Sequence, residues 1–126
     1  MRSVWRWCFV GSLCAVLVIM LLPSGPDSML PGQDKVLHGV TFLLLYLLGA
    51  KAFPQAGYRN KLLVGLLGYG IAIELLQGLS GYRSMEAWDA VADMAGLLVG
   101  CMGAQKATIP GLLWLIPECQ AQIGRL

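Results

Sequence analysis

Long apolar runs alternate with short polar segments along this chain. With its flanking residues, each run approaches the length of about 20 residues that an α-helix needs to cross a bilayer. The pattern therefore predicts an all-α fold, an integral membrane bundle of four transmembrane helices that forms a single membrane domain. The domain covers residues 1–126, and the helices cover roughly residues 5–22, 36–50, 62–79 and 87–104.

The two ends of the chain need separate interpretation. Arg2 and Arg6 precede the first apolar run, an arrangement that is also typical of a cleaved signal peptide. No small-x-small cleavage site follows the run cleanly and Pro23 ends it, so we favour an uncleaved first helix. At the other end, residues 109–116 are apolar but too short to span a membrane. Residues 107–126 are therefore predicted to form a short C-terminal interfacial tail.

Composition narrows the class of protein. Hydrophobic residues make up 57% of the chain and charged residues 13%, which is far too apolar for a soluble domain of 126 residues. The net charge is only +2 and no basic cluster is visible, which argues against nucleic acid as a partner. The four cysteines lack CxxC and Cys/His ligand spacings. We therefore predict no disulfide framework and no zinc site, and we assign no metal ligand and no cofactor. Whether the carboxylates and the histidine hold a divalent cation stays open, as one form of the enzyme alternative given below.

The lysines and arginines predict the orientation of the bundle. With the N-terminus in the cytoplasm, most of them lie on the cytoplasmic side, as the positive-inside rule requires, and Lys35 and Arg83 are the exceptions. Both termini are then cytoplasmic. The cytoplasmic set consists of Arg2, Arg6, Lys51, Arg59, Lys61, Lys106 and Arg125.

Polar residues interrupt the apolar pattern where the third and fourth helices meet. Glu74 and Gln77 lie near the end of the third run, and Asp89 and Asp93 lie near the start of the fourth. Spacings of three and four residues place each pair on one helix face. Carboxylates are costly within a membrane and usually face the bundle interior or a polar site. The short turn between the runs, which contains Arg83, brings the two pairs together at the outer end.

The second run adds polar residues to the same end. Asp34 and Lys35 open it, with Asp34 as a helix N-cap, and His38 follows one turn later on the same face. A cap, an interfacial histidine or an ion-pair network that locks the helices would also account for these residues. We predict one shared ligand-binding site and assign no catalytic residue. Its candidate residues are Asp34, Lys35, His38, Glu74, Gln77, Arg83, Asp89 and Asp93.

These polar residues form motifs whose order and spacing are similar to those of a known family. The motifs are D-K-x-x-H at Asp34, Lys35 and His38, E-x-x-Q at Glu74 and Gln77, Arg83 in the turn, and D-x-x-x-D-x-x-G at Asp89, Asp93 and Gly96. Over residues 34–103 the chain therefore resembles the VanZ-like family of small bacterial membrane proteins. It departs from the family's pattern at Gly39, where an aromatic residue is frequent, and at Asp93, where asparagine is frequent.

The resemblance implies a four-helix, multi-pass protein of the bacterial cytoplasmic (inner) membrane. The founding member of the family is associated with resistance to the glycopeptide antibiotic teicoplanin, and no reaction is established for the family. We expect a polar site at the extracytoplasmic face that binds a lipid-linked cell-wall intermediate or a glycopeptide, in a protein surrounded by membrane lipids. One alternative is a structural or assembly partner of an envelope complex. Another is a membrane enzyme that acts on a phosphate or glycosyl bond.

Glycines line one face of the fourth helix. Gly96 and Gly100 share the face of Asp89 and Asp93, and small residues allow helices to approach closely in membranes. Because the short turn makes the third and fourth helices antiparallel neighbours, we expect this glycine face to pack against the third helix.

Reporter fusions test the predicted orientation. A reporter fused after Ser28 or Ser84 should be extracytoplasmic, and one fused after Gly57 should be cytoplasmic, since these positions lie in loops on opposite sides of the predicted bundle. Alkaline phosphatase activity, paired with a reporter that fluoresces only in the cytoplasm, makes this measurement. An extracytoplasmic signal from the Gly57 fusion would contradict both the topology and the placement of the polar site.

Overall fold

The protein is an all-helical bundle. A computed structural model describes residues 1–23, 30–81 and 85–106. They form α1 (Arg2–Leu21), α2 (Gln33–Ala52), α3 (Tyr58–Ser80) and α4 (Ala87–Lys106), and each helix contains a segment long and apolar enough to cross a membrane. The predicted all-α architecture of four such helices is therefore confirmed. The predicted interfacial tail at residues 107–126 and the turn residue Arg83 lie outside the described residues.

Two helices begin earlier than the apolar runs do. The residue that caps α2 is Gly32, whose φ of 85° lies in the left-handed region that glycine adopts readily. The predicted N-cap role of Asp34 is therefore wrong. Asp34 lies in the first turn of α2, where its charge still favours the positive end of the helix. Similarly, α3 starts at Tyr58, so Arg59 is already helical.

Consecutive helices are antiparallel, so the end of each helix lies beside the start of the next. At one end of the bundle, the ring of Phe9 near the start of α1 packs edge-on against Phe53 after the end of α2, with 6.1 Å between ring centroids. At the other end, Nε2 of Gln77 near the end of α3 donates a hydrogen bond to the Met20 carbonyl of α1, at 2.8 Å. The last turns of α1 and α3 and the first turns of α2 and α4 therefore share one end, called the polar end below.

The opposite end carries basic side chains on aromatic rings. The Arg6 guanidinium lies 5.3 Å from the centroid of the Phe53 ring, and Lys51 Nζ lies 4.8 Å from that of Trp5. In such cation–π contacts the aliphatic part of the basic side chain lies along apolar surface, while its charged end reaches the boundary of the bundle. This basic end is the one that the charge pattern of the sequence places in the cytoplasm.

The outer surface of the bundle is mostly apolar. The buried share of the membrane-length segment is 11% in α1, 33% in α2, and 28% in both α3 and α4. A small core lies between the helices, with Phe42, Tyr46, Ile73 and Leu97 fully or almost fully buried. Most of the remaining apolar side chains point outward, which matches a lipid surrounding better than water.

The glycine face of α4 packs on α2, and the prediction that it packs on α3 is wrong. α2 and α4 make the most extensive contact of any helix pair. A Cβ built on Gly96 would overlap the carbonyl oxygen of Gly39, and one on Gly100 would lie 3.1 Å from Tyr46 Cβ. The short turn does make α3 and α4 neighbours, but glycine on both facing helices is what lets two backbones touch. Gly39 supplies that second glycine from α2.

Replacing Gly96 should therefore destabilise the bundle. We expect Gly96→Ala to lower the melting temperature in detergent, because its methyl group collides with the α2 backbone at an overpacking cost of about 1–3 kcal/mol. Gly103→Ala is the matched control, since nothing lies within 4 Å of a Cβ at Gly103 on the same helix. The control should be neutral or slightly stabilising, because alanine has the higher helix propensity. Equal melting temperatures for the two variants would contradict the proposed α2–α4 contact.

Candidate functional site

Buried polar side chains gather at the polar end of the bundle. The exposed fraction is at most 4% for each of them, although their surroundings are apolar. They come from three helices, one from α2 and two each from α3 and α4. We call this set the polar cluster, and it consists of His38, Glu74, Gln77, Asp89 and Asp93.

The His38 imidazole lies among the carboxylates of the polar cluster. Its Nδ1 atom is 3.0 Å from Asp93 Oδ1, a hydrogen-bond distance at which a protonated Nδ1 donates to the carboxylate. The same nitrogen is 3.9 Å from Glu74 Oε1. On the other side of the ring, Nε2 is 4.0 Å from Asp89 Oδ2. One imidazole therefore links α2 to acidic residues of both α3 and α4.

A charged rim covers this buried layer. Lys35 Nζ lies 2.7 Å from Glu86 Oε2 and 3.6 Å from Asp89 Oδ1. The side chains of Lys35 and Glu86 are 38% and 46% exposed, so this ion pair is at the surface and is screened by solvent. Asp34 is half-buried beside them, and its carboxylate is within 4.8 Å of ligand atoms of His38 and Asp89. The rim thus connects the polar cluster to the outside.

Gln77 connects the polar cluster to α1. Its Nε2 donates to the carbonyl oxygen of Met20, and its own backbone carbonyl accepts a hydrogen bond from Ser80 Oγ at 2.6 Å. The side-chain amide therefore satisfies the end of a neighbouring helix, a structural task in an apolar environment. The other polar atom of the amide, Oε1, is buried without a hydrogen bond among the described residues.

Several buried polar atoms of the cluster have no hydrogen-bond partner among the described residues. Both carboxylate oxygens of Glu74 are in this state, and so is Oδ2 of Asp93. Nε2 of His38 and Oδ1 of Asp89 also lack a hydrogen bond within that part of the chain. Leaving a buried polar group unsatisfied costs about 1–3 kcal/mol, and more for a charged group. An arrangement that tolerates several such atoms is suited to receive a ligand that satisfies them.

A glycine makes room for the carboxylate of Asp93. A Cβ built on Gly70 would lie 2.8 Å from Asp93 Oδ2 and 3.1 Å from Cζ of Phe42. The buried Phe42 ring therefore lies beside the inner side of the acidic site. Any larger residue at position 70 would displace the carboxylate or the ring.

A crevice between α3 and α4 reaches the polar cluster. Its volume is about 140 Å³, close to that of a cavity that holds one six-membered ring. Its walls are apolar, since Glu74 and Glu86 line it with carbon atoms and the Glu74 carboxylate oxygens are buried behind them. The crevice lining consists of Ile71, Glu74, Leu75, Met85, Glu86, Ala87 and Ala90.

The structure brings most of the predicted site residues together. Asp34, Lys35, His38, Glu74, Asp89 and Asp93 converge at the polar end, whereas Arg83 lies outside the described residues. Sequence reasoning left out Glu86, although its position three residues before Asp89 places both on one side of the helix start. It also missed the carbonyl of Met20 and the space at Gly70, which no residue pattern along the chain reveals.

Comparisons with protein-family models, curated proteins and solved structures found no match to this chain. The site is therefore interpreted from its own geometry.

Proposed function

We propose that this chain is a VanZ-like protein of the bacterial cytoplasmic membrane whose polar cluster binds the polar head of a lipid-linked cell-envelope ligand at the extracytoplasmic face. The observation that carries the proposal is the set of buried acceptor atoms without a hydrogen bond among the described residues, at one end of a bundle with an apolar outer surface. In a membrane, polar residues buried in this way commonly mark a ligand or ion site.

The charge distribution supports an extracytoplasmic polar end. Arg6 and Lys51 lie at the opposite end of the bundle, and the positive-inside rule places such an end in the cytoplasm. The polar cluster then faces the outer leaflet, where lipid-linked wall intermediates and glycopeptide antibiotics meet. A link to teicoplanin-type resistance is part of the proposal and rests on the similarity of the motifs to those of VanZ-like proteins.

The chemistry of the polar cluster favours a ligand rich in hydrogen-bond donors. Carboxylate oxygens only accept hydrogen bonds when ionised, and sugar hydroxyls and peptide amides supply the matching donors. The crevice beside Glu74 has apolar walls that suit the face of one ring. Among the described residues, Lys35 is the basic side chain at the rim, and a phosphate or carboxylate of the same ligand would bind to its ammonium group.

The unpartnered atoms favour binding over a purely structural role. An ion-pair network that served only to hold helices together, or to assemble an envelope complex, would gain from satisfying all of its members. Glu74 instead has two buried oxygens without a hydrogen bond in the described part of the chain. A membrane enzyme is the second candidate, because His38 held by Asp93 at 3.0 Å resembles a general base with its orienting carboxylate.

Filling the crevice should remove the ligand. Ala90 lines the crevice, and Ala95 is exposed on another face of the same helix. We expect Ala90→Phe to lose lipid-linked species that co-purify with the wild-type protein, because the ring occupies the space beside Glu74. Mass spectrometry of the native lipids retained in detergent makes this measurement. Ala95→Phe, which adds the same ring outside the crevice, should retain the wild-type lipid profile.

Glu74→Gln should also lose the ligand and should abolish teicoplanin resistance in cells, with expression and melting near wild type. Identical lipid profiles for the wild type and for both site variants would contradict the proposed function. Loss of folding in Glu74→Gln, with Ala90→Phe unchanged in lipid content, would instead support the structural alternative.

A further inference from the structure

Three buried side chains of the polar cluster are arranged like the ligands of one metal ion. One ligand atom each from His38, Glu74 and Asp93 lies within 4.8 Å of the others, and the three residues belong to three different helices. We infer that His38 Nδ1 and the carboxylates of Glu74 and Asp93 bind a divalent cation. Such an ion would join α2, α3 and α4 at the polar end.

The separations fit a single ion. Ligands about 2.1 Å from a metal lie about 3 Å apart on neighbouring vertices of an octahedron and about 4.2 Å apart on opposite ones. His38 Nδ1 is 3.0 Å from Asp93 Oδ1 and 3.9 Å from Glu74 Oε1, which falls within that range. These three atoms would fill three of the six vertices of an octahedral site.

A second observation that supports a cation site is the set of buried carboxylate oxygens without a hydrogen bond in the described part of the chain. Glu74 is 4% exposed and Asp93 1%, yet neither Glu74 oxygen nor Asp93 Oδ2 has a hydrogen-bond partner among the described residues. Lys35 is held at the rim by Glu86 and Asp89. A cation between the two inner carboxylates would satisfy these oxygens and offset charges that are otherwise costly to bury.

The surroundings of His38 match those of a metal-bound histidine. A ligating imidazole usually presents its second nitrogen to a carboxylate, which fixes the orientation of the ring. Asp89 Oδ2 is on the Nε2 side of His38, at 4.0 Å, while Nδ1 faces Glu74 and Asp93. Asp89 therefore lies on the side of the second ring nitrogen, beyond hydrogen-bond distance in this structure, and is not counted among the ligands.

The donor set selects the class of cation. Ca²⁺ prefers oxygen ligands alone and takes six to eight of them, whereas imidazole nitrogen suits first-row transition metals. One nitrogen with carboxylate oxygens therefore indicates a divalent first-row transition metal, and Mn²⁺ is the paramagnetic member of this class used as the probe below. The cation site goes beyond the proposed function, because it requires no lipid head group to be present.

A direct test uses the single histidine of the chain. Protein purified without a polyhistidine tag is treated with EDTA in detergent, and Mn²⁺ is then added. Electron paramagnetic resonance should show one Mn²⁺ bound per chain, and electron spin-echo modulation should show coupling to an imidazole nitrogen. Labelling histidine with ¹⁵N should change the modulation frequency, which assigns the nitrogen to His38 without any substitution.

Substitutions identify the carboxylate ligands. Glu74→Gln and Asp93→Asn should each weaken Mn²⁺ binding at least about tenfold, the scale seen when even an outer-sphere partner is removed. Gln105→Ala, at an exposed position near the other end of α4, should leave the affinity unchanged. Circular dichroism and size-exclusion chromatography check that each variant is folded.

Either of two results would overturn the inference: absence of stoichiometric Mn²⁺ binding to folded wild-type protein, or bound Mn²⁺ without histidine-nitrogen coupling. The lipid experiment is independent of this one. Bound Mn²⁺ in the wild type, with unchanged lipid profiles in both Ala90→Phe and Glu74→Gln, would retain the cation site and refute the head-group function. Lost lipid without Mn²⁺ binding would do the reverse.

Discussion

The contact between the backbones of α2 and α4 at Gly39 and Gly96 determines where the polar side chains lie. A Cβ at Gly96 would overlap the carbonyl oxygen of Gly39, so the two helices approach as closely as glycine permits. His38 precedes Gly39 directly, and Asp93 lies one turn before Gly96. Close packing at the glycines therefore places the imidazole 3.0 Å from the carboxylate. The feature that stabilises the bundle also assembles its candidate site.

Burying these polar groups costs free energy, and the hydrogen bonds among the described residues do not fully offset it. Replacing buried ion pairs by apolar residues of similar volume often stabilises a protein, so the acids at Glu74 and Asp93 are not explained by stability alone. Their oxygens lack hydrogen bonds among the described residues, and the proposed ligand and cation sites are based on this observation. A polar head group in the crevice and a cation between the inner carboxylates would use different parts of the same arrangement, and Glu74 belongs to both.

The sequence predicted what depends on local pattern. Apolar runs predicted four helices, and the three- and four-residue spacings placed Glu74, Asp89 and Asp93 on inward faces, since a carboxylate avoids lipid. It did not predict the partner of the glycine face, because a short turn fixes which helices are neighbours but not which backbones touch. For the same reason, the sequence did not predict that Gly70 leaves space for the carboxylate of Asp93. Positions opposite one another between helices leave no signal along the chain.

The central claim, that His38 is buried among the acids of α3 and α4, can be measured directly by nuclear magnetic resonance. In EDTA-treated protein labelled with ¹⁵N-histidine in detergent, the single histidine should give a ring N–H that exchanges slowly with water. Its Nδ1 resonance should shift in Asp93→Asn and stay in place in Glu86→Gln, because Asp93 accepts the hydrogen bond and Glu86 lies at the rim. A ring that exchanges rapidly with solvent, with a resonance indifferent to Asp93→Asn, would contradict the account.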